Sequence, residues 1–185
     1  MYEDILEEVL FSKDQLAMRI KEMATELDKD YAGKKPLMVA ILKGSVMFFT
    51  DLIREMSLPL EIDFMSISSY GNGVKSSGEV KMIKDLDNKI EGKDVIIVED
   101  IVDSGYTMRY LKHLLEARKP ASIKICALLD KPSRRETDVK VDYKGFEVGN
   151  EFVVGYGLDY AGLYRNIPFI GILKRSVYEL SLIHI

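Results

Sequence analysis

Val95-Ile96-Ile97-Val98-Glu99-Asp100-Ile101-Val102-Asp103-Ser104-Gly105-Tyr106-Thr107-Met108 is the stretch on which the fold turns. Its first four residues are apolar and β-favouring without a polar break, the pattern of a strand buried on both faces in the middle of a parallel sheet. The carboxylates Glu99, Asp100 and Asp103 follow at once. Asp103-Ser104-Gly105-Tyr106-Thr107 then supplies turn residues, N–H groups and hydroxyls, and Met108, Leu111, Leu114 and Leu115 continue at helical spacing.

Strand, loop and helix start in that order make an anion site. The loop N–H groups converge and the helix dipole adds positive potential at its beginning, so a phosphate fits there. Glu99 and Asp100 would repel that phosphate but suit hydroxyl groups or a divalent metal on the same ligand, which implies a phosphorylated sugar. Neither the Gly-x-x-x-x-Gly-Lys of a P-loop nor the Gly-x-Gly-x-x-Gly of a dinucleotide fold is present, which argues against ATP and NAD.

Upstream, residues 2–11 fit either a short acidic helix or an edge strand. Ser12-Lys13-Asp14-Gln15 is a capping-box signature, and Leu16, Ile20, Met23, Ala24 and Leu27 trace one face of a helix to about Tyr31. Leu37 to Leu42 is a continuous apolar strand that ends in Lys43-Gly44-Ser45 and leads into a helical pattern through Phe48, Leu52 and Ile53. The strand, loop, helix layout of residues 95–108 thus occurs twice, and the position of Lys43-Gly44-Ser45 at a strand's carboxyl end favours a binding role over an ordinary turn. Leu60 to Ser69 and Glu79 to Ile83 read as strands. The segment between them, Tyr70-Gly71-Asn72-Gly73-Val74-Lys75-Ser76-Ser77-Gly78, has the length and glycine content of a mobile lid.

Downstream, Ile123 to Leu129 is another buried strand, ending in Asp130-Lys131-Pro132. Residues 152–160 read as a strand entering a turn, Arg165 offers a guanidinium whose fork suits a diphosphate, Phe169 to Leu173 gives a last strand, and Arg175 to Leu180 a last short helix. Strands alternating with helices imply an α/β fold, a central parallel sheet flanked by helices, with the terminal segments and the lid strands forming a small hood over the strand ends.

The composition is that of an ordinary globular chain: 185 residues, 47% hydrophobic, 30% charged and a formal net charge of −4. The length favours one domain, residues 1–185, and the acidic balance gives no global attraction to nucleic acid or anionic lipid. The single cysteine, Cys126, lies in an apolar run and reads as an inert buried thiol. His113 and His184 offer no zinc set and no nucleophile–base pair. Glu3, Asp4, Glu7 and Glu8 are wrong for a signal peptide and no apolar run is long enough to cross a bilayer, so the cytoplasm is the expected compartment.

The acid pair Glu99-Asp100 and the loop 103–107 closely resemble the signature of the type I phosphoribosyltransferases, and the likeness extends over nearly the whole chain, being closest to the bacterial hypoxanthine(-guanine) enzymes. The resemblance implies that Ser104, Gly105, Tyr106 and Thr107 hold the ribose 5′-phosphate of 5-phosphoribosyl 1-diphosphate, while Glu99 and Asp100 hold the ribose hydroxyls and Mg²⁺. It implies a diphosphate loop at Lys43-Gly44 with an unusual cis peptide at that bond, a flexible lid loop over about residues 68–78 that starts at Ser68-Ser69-Tyr70-Gly71, and Asp103 as the general base toward purine N7. Lys131 is either a solvated lysine or, as in the family, the donor to a purine 6-oxo group. Phe152 would stack on the base, the Val153 backbone would read its edge, and Asp159 would hold its far end and, through water, a second Mg²⁺. The implied partners are 5-phosphoribosyl 1-diphosphate and a 6-oxopurine, with the order among hypoxanthine, guanine and xanthine left open. Neither nucleic acid nor membrane is expected as a partner, and a homodimer or homotetramer is expected. The competing possibility is a regulator that senses the same sugar diphosphate while binding RNA or DNA, for which a basic face is missing.

Overall fold

The computed structural model describes residues 2, 4–69 and 80–182. Strand β1 is Leu6–Phe11, so the ambiguous N-terminal segment is a strand, and Tyr70 with nearly all of the expected lid lies outside the described residues. Helix α1, Lys13–Asp30, starts at the capping box: Ser12 Oγ accepts from Gln15 N–H at 3.2 Å and Gln15 Oε1 accepts from Ser12 N–H at 2.8 Å. There follow β2 (Leu37–Leu42), α2 (Val46–Glu55), β3 (Glu61–Ser69), β4 (Val80–Lys84), β5 (Asp94–Val102), α3 (Tyr106–Glu116), β6 (Ser122–Asp130), β7 (Tyr143–Glu147), β8 (Val153–Val154), β9 (Ile170–Leu173) and α4 (Arg175–Leu182).

Six strands form one sheet in the order β4-β3-β2-β5-β6-β7, with every pairing parallel except β3 with β4. A second, antiparallel sheet in the order β1-β9-β8 is built from the terminal parts of the chain. Alternation decides which core each central residue enters. Met38 and Ala40 of β2, Ile96 and Val98 of β5, and Cys126 and Leu128 of β6 face α1 and α2. Leu37, Val39 and Ile41, Val95 and Ile97, and Ile125 and Ala127 face Met108, Leu111 and Leu115 of α3. A strand covered on both faces has no polar phase, which is why β2 and β5 read as unbroken apolar runs; each such Leu, Ile or Val contributes about 1.5–3 kcal/mol on full burial.

The chain leaves β2 toward β3 on one side but leaves β5 toward β6 on the other. That reversal places the loops after β2 and β5 side by side at the carboxyl ends of adjacent strands, where open α/β sheets form their crevice.

The strands flanking the expected lid, β3 and β4, extend the central sheet instead of joining the hood, and two further details differ from expectation. Strand β5 runs on past the apolar run 95–98 through Glu99 and Asp100 to Val102, because Glu99 and Ile101 stay paired with Ala127 and Leu129 of β6. The expected strand over residues 152–160 is reduced to Val153–Val154, since Gly155 and Gly157, at φ +97° and +100°, turn the chain at once.

Candidate active site

Three loops meet at the crevice. In the first, after β2, the cis peptide is Leu42–Lys43, one bond upstream of the expected Lys43–Gly44. Ser45 is buried and its hydroxyl donates to Ile41 O at 2.7 Å, fastening the turn to the end of the strand. Gly44 is required by its neighbours: a Cβ there would lie 1.6 Å from Asp100 Oδ2. Gly157 is fixed in the same way, since its Cβ would fall 2.0 Å from Gly44 O. Lys43 is exposed beside this contact.

The second loop carries Asp103 to Gly105 into α3. Gly105 caps the helix at φ +87°, a left-handed conformation that suits glycine. Among the described residues none accepts a hydrogen bond from the N–H groups of Ser104, Gly105, Tyr106 or Thr107. These four donors lie at the positive end of α3, beside a hollow of about 180 Å³ whose lining includes Glu99, Asp100, Asp103, Ser104, Gly105 and Thr107. Tyr106 is not part of that lining; its hydroxyl donates to Glu136 at 2.9 Å.

Glu99 is buried at the rim of this hollow, and burial together with the adjacent Asp100 carboxyl pushes its proton affinity well above the usual carboxylate range. Burial raises Asp100 as well, against the opposing effect of hydrogen bonds with Glu99 and the Ile101 N–H and the weaker pull of Arg165. Two acids held where both cannot easily be charged are a natural place for a cation or for sugar hydroxyls. Among the described residues no three His, Cys, Asp or Glu side chains cluster as a self-sufficient metal cage. The donor set therefore fits an ion such as Mg²⁺, which binds through one or two carboxylates and takes its remaining oxygens from ligand and water.

The third loop and β8 complete a larger hollow of about 490 Å³, lined by Asp100, Ile101, Asp103, Lys131, Arg134, Asn150, Glu151, Phe152, Val153, Leu158 and Asp159. It shares Asp100, Ile101 and Asp103 with the lining of the smaller hollow. Lys131 is buried, its Nζ donating to Glu151 O at 2.8 Å, and burial lowers its proton affinity. Phe152 is 39% exposed, so it is no core residue. Its ring stacks on Tyr178 at 5.4 Å and meets Tyr160 edge-on at 5.7 Å. Asp159 pairs with Arg165 at 2.6 Å and accepts from Gly162 N–H at 2.8 Å, while Arg165 also donates to Gly157 O at 2.6 Å. Arg165 and Lys43 line neither hollow.

Asp103 sits at the junction of the two hollows. Arg134 Nε lies 2.8 Å from its Oδ1, but out of hydrogen-bonding alignment, so this buried oxygen has no hydrogen-bond partner among the described residues.

Residues 8–161 match the family model described as the phosphoribosyl transferase domain. The chain belongs to the phosphoribosyltransferase family. Among its relatives in that family is the hypoxanthine-guanine phosphoribosyltransferase of Bacillus subtilis (strain 168), 54% identical over 174 residues, which are 94% of this chain and 97% of that protein. The bifunctional protein TilS/HprT of Listeria monocytogenes serotype 4b (strain F2365) is 54% identical over 179 residues, 97% of this chain; the chain spans 28% of the length of that relative. A crystal structure of a hypoxanthine phosphoribosyltransferase from Staphylococcus aureus superposes with a TM-score of 0.92 at 50% identity, covering 95% of this chain and 96% of that one.

Several residues that shape this phosphoribosyltransferase site carry no sequence signal strong enough to find them. Tyr160 and Tyr178 flank Phe152 from distant positions. Arg134 reaches Asp103, and Arg135 with Asp130 lies beneath the loop that follows β5, although Asp130-Lys131-Pro132 reads locally as a plain turn.

Proposed function

We propose that this chain transfers the 5-phosphoribosyl group of 5-phosphoribosyl 1-diphosphate to N9 of hypoxanthine or guanine, giving IMP or GMP and diphosphate in purine salvage. The observation that carries the reading is the junction at Asp103: an anion-sized hollow, beside four N–H donors without an acceptor among the described residues, shares a wall at Asp100, Ile101 and Asp103 with a cavity large enough for a base and lined by Lys131, Phe152 and Val153. The whole-length relatives named for this activity point the same way and do not favour a nucleic-acid-binding regulator.

In the proposed complex the amides of residues 104–107 and the hydroxyls of Ser104 and Thr107 take the 5′-phosphate. Glu99 and Asp100 take the ribose hydroxyls and Mg²⁺, and Asp159 holds a second ion through water. Mg²⁺ would neutralise the diphosphate as it leaves. Lys43, the Gly44 backbone and Arg165 would stabilise the same negative charge from the other side. The base stacks on Phe152, its 6-oxo group accepts from Lys131, and the Val153 backbone meets its edge. N9 then bonds to C1′ in line as the C1′–O bond to diphosphate breaks, with inversion at C1′. Asp103 takes the proton from N7, a step worth about 10²–10⁴-fold. A lid at about residues 68–78, with Ser69 and Tyr70 near its start, would exclude water from the sugar.

We further propose that residues 1–185 act as one domain with the β1-β9-β8 sheet as its hood, and that the chain forms a homodimer or homotetramer. A cytoplasmic site of action suits Cys126, which is buried and unpaired. Among the described residues no helix is long and apolar enough to cross a membrane.

Ultraviolet-monitored turnover of hypoxanthine, guanine, xanthine, adenine and uracil tests the assignment. Hypoxanthine and guanine should be consumed with Mg²⁺, adenine and uracil should not, and excess EDTA should stop the reaction reversibly. Turnover of adenine alone, or full activity in EDTA, would overturn it.

A further inference from the structure

Beneath the phosphate loop the chain spends an almost buried ion pair. Arg135 and Asp130 have side chains only 14% and 9% exposed, and their carboxylate–guanidinium contact lies far from solvent screening. A buried pair of this kind is a poor investment in stability alone, since desolvation offsets most of the attraction. What the guanidinium does with its other donors is more specific. Nε donates to Asp103 O at 3.1 Å, Nη2 to Val102 O at 3.4 Å and Nη1 to Val139 O at 2.7 Å. The segment after Arg135 continues the pattern, with Glu136 N–H and the Thr137 hydroxyl donating to Ser104 O at 3.0 and 3.3 Å. A Cβ on Gly105 would lie 2.2 Å from Thr137 Oγ1 and 2.8 Å from Arg135 Cδ, so this strap packs directly against the underside of the loop.

We infer that Arg135, oriented by Asp130, is a positioning residue that aims the loop amides at the substrate's 5′-phosphate by seizing the carbonyls of Val102 and Asp103, with Thr137 holding that of Ser104. The reason is the planar trans peptide: its C=O and N–H point in opposite directions. Carbonyls drawn down to the strap leave the N–H groups of Ser104 and Gly105 turned up toward the hollow, where they have no acceptor among the described residues. Arg135 touches no ligand in this arrangement and acts entirely through the backbone. Lysine could keep the charge opposite Asp130 but could not reproduce a planar fork serving three carbonyls.

The inference rests on the proposed phosphoribosyl transfer, and the test separates the two. Arg135→Lys in the full chain should raise KM for 5-phosphoribosyl 1-diphosphate about 10- to 100-fold, as expected for a loop displaced by roughly 1 Å. KM for hypoxanthine, set by Lys131 and Phe152 across the crevice, should stay within about 3-fold. Titration with inorganic phosphate alone, followed by calorimetry, should show the same weakening without any turnover. A lower Tm with both KM values and phosphate affinity unchanged, or with both KM values raised equally, would reduce Arg135 to a structural role and overturn the inference. Should Arg135→Lys fail to fold, Thr137→Val removes a single bond to the same loop and should raise KM for the sugar diphosphate about 2- to 5-fold; no rise there overturns it equally. A wild-type chain that binds phosphate but transfers nothing would defeat the activity assignment and leave the loop geometry to be judged by phosphate binding.

Discussion

Replacing Gly44 by alanine puts a methyl carbon where Asp100 already is. The new Cβ would lie 1.6 Å from Oδ2 and 2.7 Å from Cγ of that side chain, so the carboxyl has to retreat about 2 Å to reach an ordinary contact of ~3.5 Å. Asp100 Oδ1 accepts from Ile101 N–H at 2.7 Å, and this bond is lost or bent as the group swings. One distorted rotamer and one weakened hydrogen bond cost about 1–3 kcal/mol together, which for a chain of this size lowers Tm by roughly 2–12 °C. The functional loss should be much larger than that implies. If Asp100 grips the ribose hydroxyls or a metal ion, moving it by about 2 Å should cut kcat/KM for 5-phosphoribosyl 1-diphosphate by about 100-fold or more. The measurements are a circular-dichroism melt and steady-state turnover of hypoxanthine with the sugar diphosphate varied. A folded Gly44→Ala chain with kcat/KM within about 3-fold of wild type would refute the placement of Asp100 in the substrate site.

Two further outcomes follow from the electrostatics. Burial and Asp100 raise the proton affinity of Glu99 in the folded chain, so its contribution to stability is fully present below the unfolded value of about 4.3 and is lost as pH rises through the raised folded value. In EDTA, Glu99→Gln should therefore gain Tm relative to wild type as pH rises above about 4.3; a difference that is flat or falls with pH would contradict the assigned burial. Lys131→Ala should raise KM for hypoxanthine about 10- to 100-fold, the worth of one charge-assisted hydrogen bond, and leave KM for the sugar diphosphate within about 3-fold. Equal effects on both substrates in steady-state kinetics would remove Lys131 from the base end.

The central strands and the turn from β5 into α3 were legible because burial on both faces and turn chemistry leave unmistakable local marks in residues 37–42 and 95–108. Strand β7 was not. Tyr143-Lys144-Gly145-Phe146-Glu147 carries two charges and a glycine, as an edge strand can, and what admits it to the sheet is non-local: a Cβ on Gly145 would strike Leu128 O at 2.4 Å, and Phe146 stacks on Phe11 at 4.1 Å. The alternation of Val139, Val141 and Tyr143 was the available hint. Asp130 read as the start of a turn because nothing nearby in the sequence shows that β6 runs through it to pair with Glu147 of β7 and that Arg135 closes on its carboxylate. The aromatic partners of Phe152 lie 8 and 26 positions away at Tyr160 and Tyr178, beyond any local period. The resemblance placed the unusual peptide in the right turn but one bond late, since residue type does not mark which amide flips.

Strand β9 lies between β1 and β8, with Leu6 and Phe11 paired to Leu173 and Ile170 on one side and Val153 paired to Ile172 on the other. The opening residues of the chain are thus two rungs from the wall of the cavity that would receive the base. If that cavity takes a purine, an affinity tag or deletion that frays this first strand would be felt as altered discrimination among bases.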